Sequence, residues 1–171
     1  MSDLVKLSNQ KLDLAAEDRV RALPGQIKAV KAEHAAKGLA HSGATLKRVR
    51  AICVNHLQEH GEAVTVEYKW AVNQALLASQ TWTEKLAAAV PVRLQPLMTA
   101  SAAQLTELAA FAGRPELASR LIADVEAELR IVEERTKLAV RAAFAEKSRG
   151  LVRSVPAAIG SVLSKVFRPG P

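Results

Sequence analysis

Two histidines four residues apart, with a glutamate between them, are the groups in this chain best spaced for chemistry. They stand in the string His56-Leu57-Gln58-Glu59-His60. On a helix, positions i and i+4 share a face, so both imidazoles can reach one metal ion. A neighbouring carboxylate can then serve as general base. Glu133 or Glu134 would have to come in as a distant third ligand. Cys53 is the only thiol, which rules out an intrachain disulfide. It falls on an apolar seam between Val49 and Leu57, where a thiol packs rather than reacts.

The histidine string resembles the H-x-x-E-H motif of the inverted zinc proteases. The match covers five residues, and nothing else in the chain is similar to those larger α/β enzymes. The expectation adopted is therefore that His56 and His60 edge the seam with Glu59 in solvent. No catalytic residue, metal ligand or cofactor is assigned. Gly38, Gly43 and Gly61 are too scattered to cradle a phosphate. His34 and His41 read as isolated surface histidines.

Charge is the next signal. The 171 residues carry a net charge of +7, distributed unevenly. Lys28, Lys31, Lys37, Lys47, Arg48 and Arg50 crowd the second and third segments, where Glu33 is almost the only acid. Phosphate backbones need only positive charge on one surface. Stacking aromatics and a helix-turn-helix pattern are missing from that region, so nucleic acid ranks last among the partners considered.

The C-terminal segment is the most distinctive stretch. After Glu146 there is no acidic residue. As a helix, Leu151, Val155, Ile159, Val162, Leu163, Val166 and Phe167 share one side, and Arg153, Lys165 and Arg168 the other. Such a surface suits an anionic membrane or a groove on a protein.

The elements that must position these groups read as helices throughout. Leu12, Ala16, Val20 and Leu23 stripe a first helix over about 4–22, which Pro24-Gly25 should end. A second runs over 25–40, before a turn at His41-Ser42-Gly43. The longest is expected over 44–89, its seam running through Val49, Cys53, Leu57, His60, Val64, Tyr68, Ala71, Ala75, Ala78, Trp82 and Leu86. Pro91 and Pro96 should bracket a connection, with a short helix capped by Thr99 or Ser101 ending at Gly113. Pro115 opens a last helix to 149, with a seam of Leu117, Leu121, Val125, Leu129, Val132, Thr136, Ala139 and Ala143. The two long seams step by three and four, as in coiled-coil packing, and are expected to pair antiparallel.

The sequence therefore predicts an all-α protein, an elongated helical bundle or antiparallel long-helix hairpin of about five helices. It divides into a bundle domain over 1–149 and a basic amphipathic segment over 150–171. The expected role is non-enzymatic: binding a protein partner or itself, as a homo-oligomer, through the seams and the terminal segment. A peripheral membrane protein using that segment is the alternative. The N-terminus lacks a secretory pattern, and no apolar run approaches the roughly 18–20 residues that span a bilayer. A cytoplasmic location is the expectation, peripheral to a membrane under the alternative reading.

Overall fold

The computed structural model of the chain describes the backbone of residues 2–166 and the side chains of residues 3–150. The protein is all-α, a bundle of four long helices: α1 (Ser2–Ala36), α2 (Gly43–Gln74), α3 (Gln80–Phe111) and α4 (Ala118–Val166). A single 3-10 turn, Pro115–Leu117, precedes α4.

Two of the predicted helix breaks do not occur. α1 runs straight through Pro24, and α3 runs through both Pro91 and Pro96. A proline inside a helix costs about 3 kcal/mol through its missing N–H and its clash with the preceding turn. Burial outweighs that cost. Leu12, Ala16, Leu23, Ile27 and Val30 form one buried stripe across Pro24. Leu86, Val90, Leu94, Leu97, Leu105 and Leu108 do the same across Pro91 and Pro96. Each buried large side chain contributes about 1.5–3 kcal/mol, so one lost turn is repaid several times over. Ser101, expected as a helix cap, is instead buried in the middle of α3.

One unpredicted break does occur. The helix expected over 44–89 stops at Gln74, and α3 starts at Gln80. Ser79 caps the new start: its Oγ accepts from the Trp82 N–H at 3.2 Å. On the other side, the Lys147 ammonium of α4 donates to the carbonyls of Val72 (2.7 Å), Asn73 (2.8 Å) and Ala75, closing the end of α2. A cation there satisfies orphan carbonyls and complements the negative end of the helix dipole. The seam nevertheless follows the expected positions as far as Ala75, all of them buried from Val49 on.

Gly113 ends α3 as predicted, at φ +69°. The Arg114 N–H reaches the Ala109 carbonyl at 2.9 Å, the six-to-one bond of a Schellman cap.

Ion pairs and hydrogen bonds fix the helix directions. α1 faces α2 antiparallel, with Ser8 and Lys11 beside Glu67 and Arg19 beside Glu59. α3 runs antiparallel to α2, with His60 beside Arg93, and antiparallel to α4, with Glu84 beside Arg141. α2 and α4 run parallel, as Arg50–Asp124, Thr65–Thr136 and Lys147–Val72 show. The two long seams thus meet, but not in the antiparallel sense first expected: α3 intervenes in the chain as a full helix and reverses direction once more. The result is an up-down-up-down bundle. α2 and α3 touch each other in the middle, while α1 and α4 flank them and make no contact with one another among the described residues.

α2 and α4 approach closely at Gly61. A Cβ there would collide with Val132 Cγ1 and sit 3.7 Å from Thr136 Oγ1. The Gly61 carbonyl accepts from Thr65 at 2.9 Å and from Thr136 at 3.4 Å.

Candidate interaction surface

The histidine string lies on α2, on the side that faces α1 and α3. His60 is fully buried, and its Nε2 donates to the Arg93 carbonyl at 3.1 Å. The proton therefore sits on Nε2, and Nδ1 is left buried without a partner. His56 is buried as well. Its Nε2 meets Gln26 Oε1 at 3.1 Å, and its Nδ1 is likewise unpartnered. Burial holds both imidazoles below the usual histidine pKa, favouring their neutral forms. Glu59 points out to Arg19 at 2.5 Å, while Glu133 and Glu134 both pair with Lys137. No three His, Cys, Asp or Glu side chains converge on one point among the described residues.

The remaining histidines also brace helices. His34 donates from Nδ1 to Thr45 Oγ1 at 2.8 Å, and Thr45 donates onward to the Leu39 carbonyl at 2.7 Å. This chain ties the α1–α2 connection. His41 donates to the Phe111 carbonyl at 2.8 Å and stacks on the Phe111 ring at 4.6 Å, tying that connection to the end of α3. Cys53 is buried, and burial pushes its thiol pKa up, against a smaller opposing effect of Ser101.

The basic cluster is partly consumed. Lys31 pairs with Glu107, Lys37 with Glu33 and Arg50 with Asp124. Lys47, Arg50 and Arg120 line a cleft of about 260 Å³ that also contains Asp124.

A larger open groove, about 620 Å³, lies between the first turns of α1 and α3. Val5, Trp82, Leu86 and Ala89 form its apolar floor, with Lys6, Lys85 and Arg93 as its cations. Arg93 is tied to Asp13 at 2.5 Å, and Tyr68 donates to Asn9 at 3.0 Å behind it.

At the same end of the bundle lies the feature that sequence periodicity hid. The turn between α2 and α3 presents Leu76 and Leu77, 92% and 81% exposed. Both fall inside the helix expected over 44–89, where Leu77 joins Ile52, Val66 and Trp70 on a second apolar stripe whose expected role is packing within the bundle. Lys147 fixes the base of this turn from α4. The signal available beforehand was Ser79 as a helix cap, five residues past the end of α2.

Leu151, Val155, Ile159, Val162, Leu163, Val166, Phe167, Arg153, Lys165 and Arg168, the binding residues proposed from sequence, lie outside the residues whose side chains are described. Through Val166 their backbone continues α4 beyond Lys147, which itself reaches the end of α2 next to Leu76 and Leu77.

Comparison of the chain with protein-family models, with curated proteins and with solved structures finds no match.

Proposed function

We propose that this chain is a non-enzymatic interaction module, a rigid four-helix scaffold that presents one end to a partner. The observation that carries this reading is the turn with two exposed leucines, Leu76 and Leu77, held in place by a lysine from another helix. Two adjacent large aliphatic side chains left exposed at a turn forgo the stabilisation of burial, and contiguous exposed apolar surface marks a binding site. The groups with chemical potential support the same reading by what they already do. His34, His41, His56 and His60 each brace one helix or connection against another. The seams that sequence analysis assigned to self-association are largely spent inside the bundle, since Val64, Tyr68, Val125 and Val132 are buried within one chain.

Site-specific photo-crosslinking in the producing cell tests the proposal. A benzophenone side chain at position 77 is expected to give adducts, and one at the exposed Leu39 of the opposite end is not. Equal adduct yields at both positions, or none at 77, would overturn it.

A further inference from the structure

We infer that the groove between the starts of α1 and α3 binds a small amphiphilic monoanion, an organic carboxylate with an apolar body, through Lys6 and Lys85. This goes beyond the reading of the Leu76–Leu77 turn and does not depend on it, since neither leucine lines the groove.

α1 and α3 both run antiparallel to α2, so they are parallel to each other. Asp13 sets their register by standing level with Arg93, at 2.5 Å, as Lys31 does with Glu107, at 3.3 Å. About two turns before Asp13 and Arg93, Lys6 and Lys85 stand nearly level on opposite walls of the groove. Between the two levels the floor is apolar: Leu86 is buried, and Val5 and Ala89 are half-buried. Trp82, about one turn before Lys85, adds an aromatic wall.

What sets these two lysines apart is position rather than freedom from carboxylates. Other cations on this surface are equally exposed. A charge beside low-dielectric walls in a concavity, however, is screened less and draws an anion more strongly than one on a convex face. At about 620 Å³ the groove also falls within the roughly 300–1,000 Å³ of ligand pockets. The cleft at Lys47 and Arg120 is the nearest comparison. It too sets cations beside leucines, but it holds about 260 Å³ and has no aromatic side chain in its lining.

Charge fixes the class of ligand and its direction. At the inner end the Asp13 carboxylate neutralises Arg93. Lys6 and Lys85 are in no ion pair among the described residues, and Asp3, close to Lys6 in sequence, does not line the groove. A carboxylate between the two ammoniums accepts a charge-assisted hydrogen bond from each. The apolar body then runs inward over Leu86 and Ala89. At about 1.5 Å per residue, Lys85 to Arg93 spans about 12 Å, room for an extended chain of roughly eight to ten carbons. A second negative charge at the far end of such a ligand would face Asp13, which selects a monoanion.

Trp82 is the readout. In the full chain carrying Trp70→Phe it is the only tryptophan, so its emission reports the groove. Decanoate below its micelle-forming concentration should change that emission saturably. Decanol, with the same body and no charge, and acetate, with the charge and no body, should bind at least about tenfold more weakly. Lys6→Gln with Lys85→Gln should weaken decanoate about tenfold or more. Both side chains are exposed, so the unfolding midpoint should stay in place. Ala89→Phe, which fills the floor and keeps every charge, should abolish binding. Lys47→Gln with Arg120→Gln should leave it unchanged. The assignment is overturned by the absence of a saturable change across the millimolar range, by decanol binding as tightly as decanoate, or by equal losses from the two double variants. Crosslinking at position 77 reads the turn alone, so either proposal can fail without the other.

Discussion

Gly61 offers a sharp test of how α2 and α4 are packed. Replacing glycine by alanine inside a helix ordinarily stabilises by about 0.8–1 kcal/mol, because the unfolded chain loses freedom and the helix gains a good former. Here the added Cβ would collide with Val132 Cγ1. Val132 is β-branched and sits in a helix, where one χ1 rotamer dominates, so its methyl cannot swing aside cheaply. Overpacking of this kind costs about 1–3 kcal/mol. Gly61→Ala should therefore be neutral to destabilising, by about 0–2 kcal/mol net. The Val132→Ala background changes the sign. Cγ1 is gone, and the next atoms, Val132 Cβ and Thr136 Oγ1, lie 3.7 Å away in ordinary contact. In that background Gly61→Ala should stabilise by about 0.5–1 kcal/mol. Urea unfolding of the four proteins, followed by circular dichroism, closes the double-mutant cycle. A coupling free energy of about 1–2 kcal/mol is expected. If Gly61→Ala stabilises equally in both backgrounds, α2 and α4 do not approach each other at Gly61 and Val132, and the parallel register argued above is wrong.

Three further outcomes follow from other parts of the bundle. Lys147→Met keeps the aliphatic stem but leaves three carbonyls of α2 without their cation. It should cost about 1.5–3 kcal/mol in urea unfolding, whereas Lys69→Met, with no ion-pair partner among the described residues, should cost under about 0.5 kcal/mol. Because burial lowers the folded-state pKa of His56 and His60, the unfolded chain binds more protons just below its own histidine pKa near 6.5. Stability should be fully present above that pH and decline as the pH falls toward the folded values. His60→Gln, which keeps an N–H for the Arg93 carbonyl, should flatten the decline in a pH series of unfolding midpoints. Cys53 should react with a thiol reagent only as fast as the bundle opens, so labelling in urea should track unfolding; rapid labelling of the native protein would contradict its burial.

Much of the packing was legible beforehand, because periodicity reports which face of a helix is buried whatever the direction of its neighbour. The α2 stripe from Val49 to Ala75 and the α4 positions Val125, Leu129, Val132, Thr136 and Ala143 are buried as their spacing predicted. Local rules fared worse where long-range packing opposed them. Pro24, Pro91 and Pro96 look like helix ends in isolation, yet each lies in a helix whose opposite, buried stripe outweighs the cost of one missing hydrogen bond. The opposite error came at Leu76 and Leu77, where an apolar phase carried on through a real break. What closes α2 there is Lys147, a residue more than seventy positions away that no local pattern could connect to it.

By itself, then, the sequence determined that the protein is all-α, which side chains form most of its core, that it carries a basic surplus, and that its last segment is amphipathic in pattern and free of acids. These are properties of spacing and composition, which every arrangement of the helices must satisfy. Tertiary structure alone decided that there are four helices rather than five, that α2 and α4 lie parallel with α3 between them in the chain, and that Leu76 and Leu77 stand exposed at the turn between α2 and α3. Those outcomes depend on distant residues meeting, at Gly61 and Val132, at His60 and Arg93, at Lys147 and the end of α2. The free energy of such meetings belongs to no single stretch of chain, so it leaves no trace in any local window of the sequence.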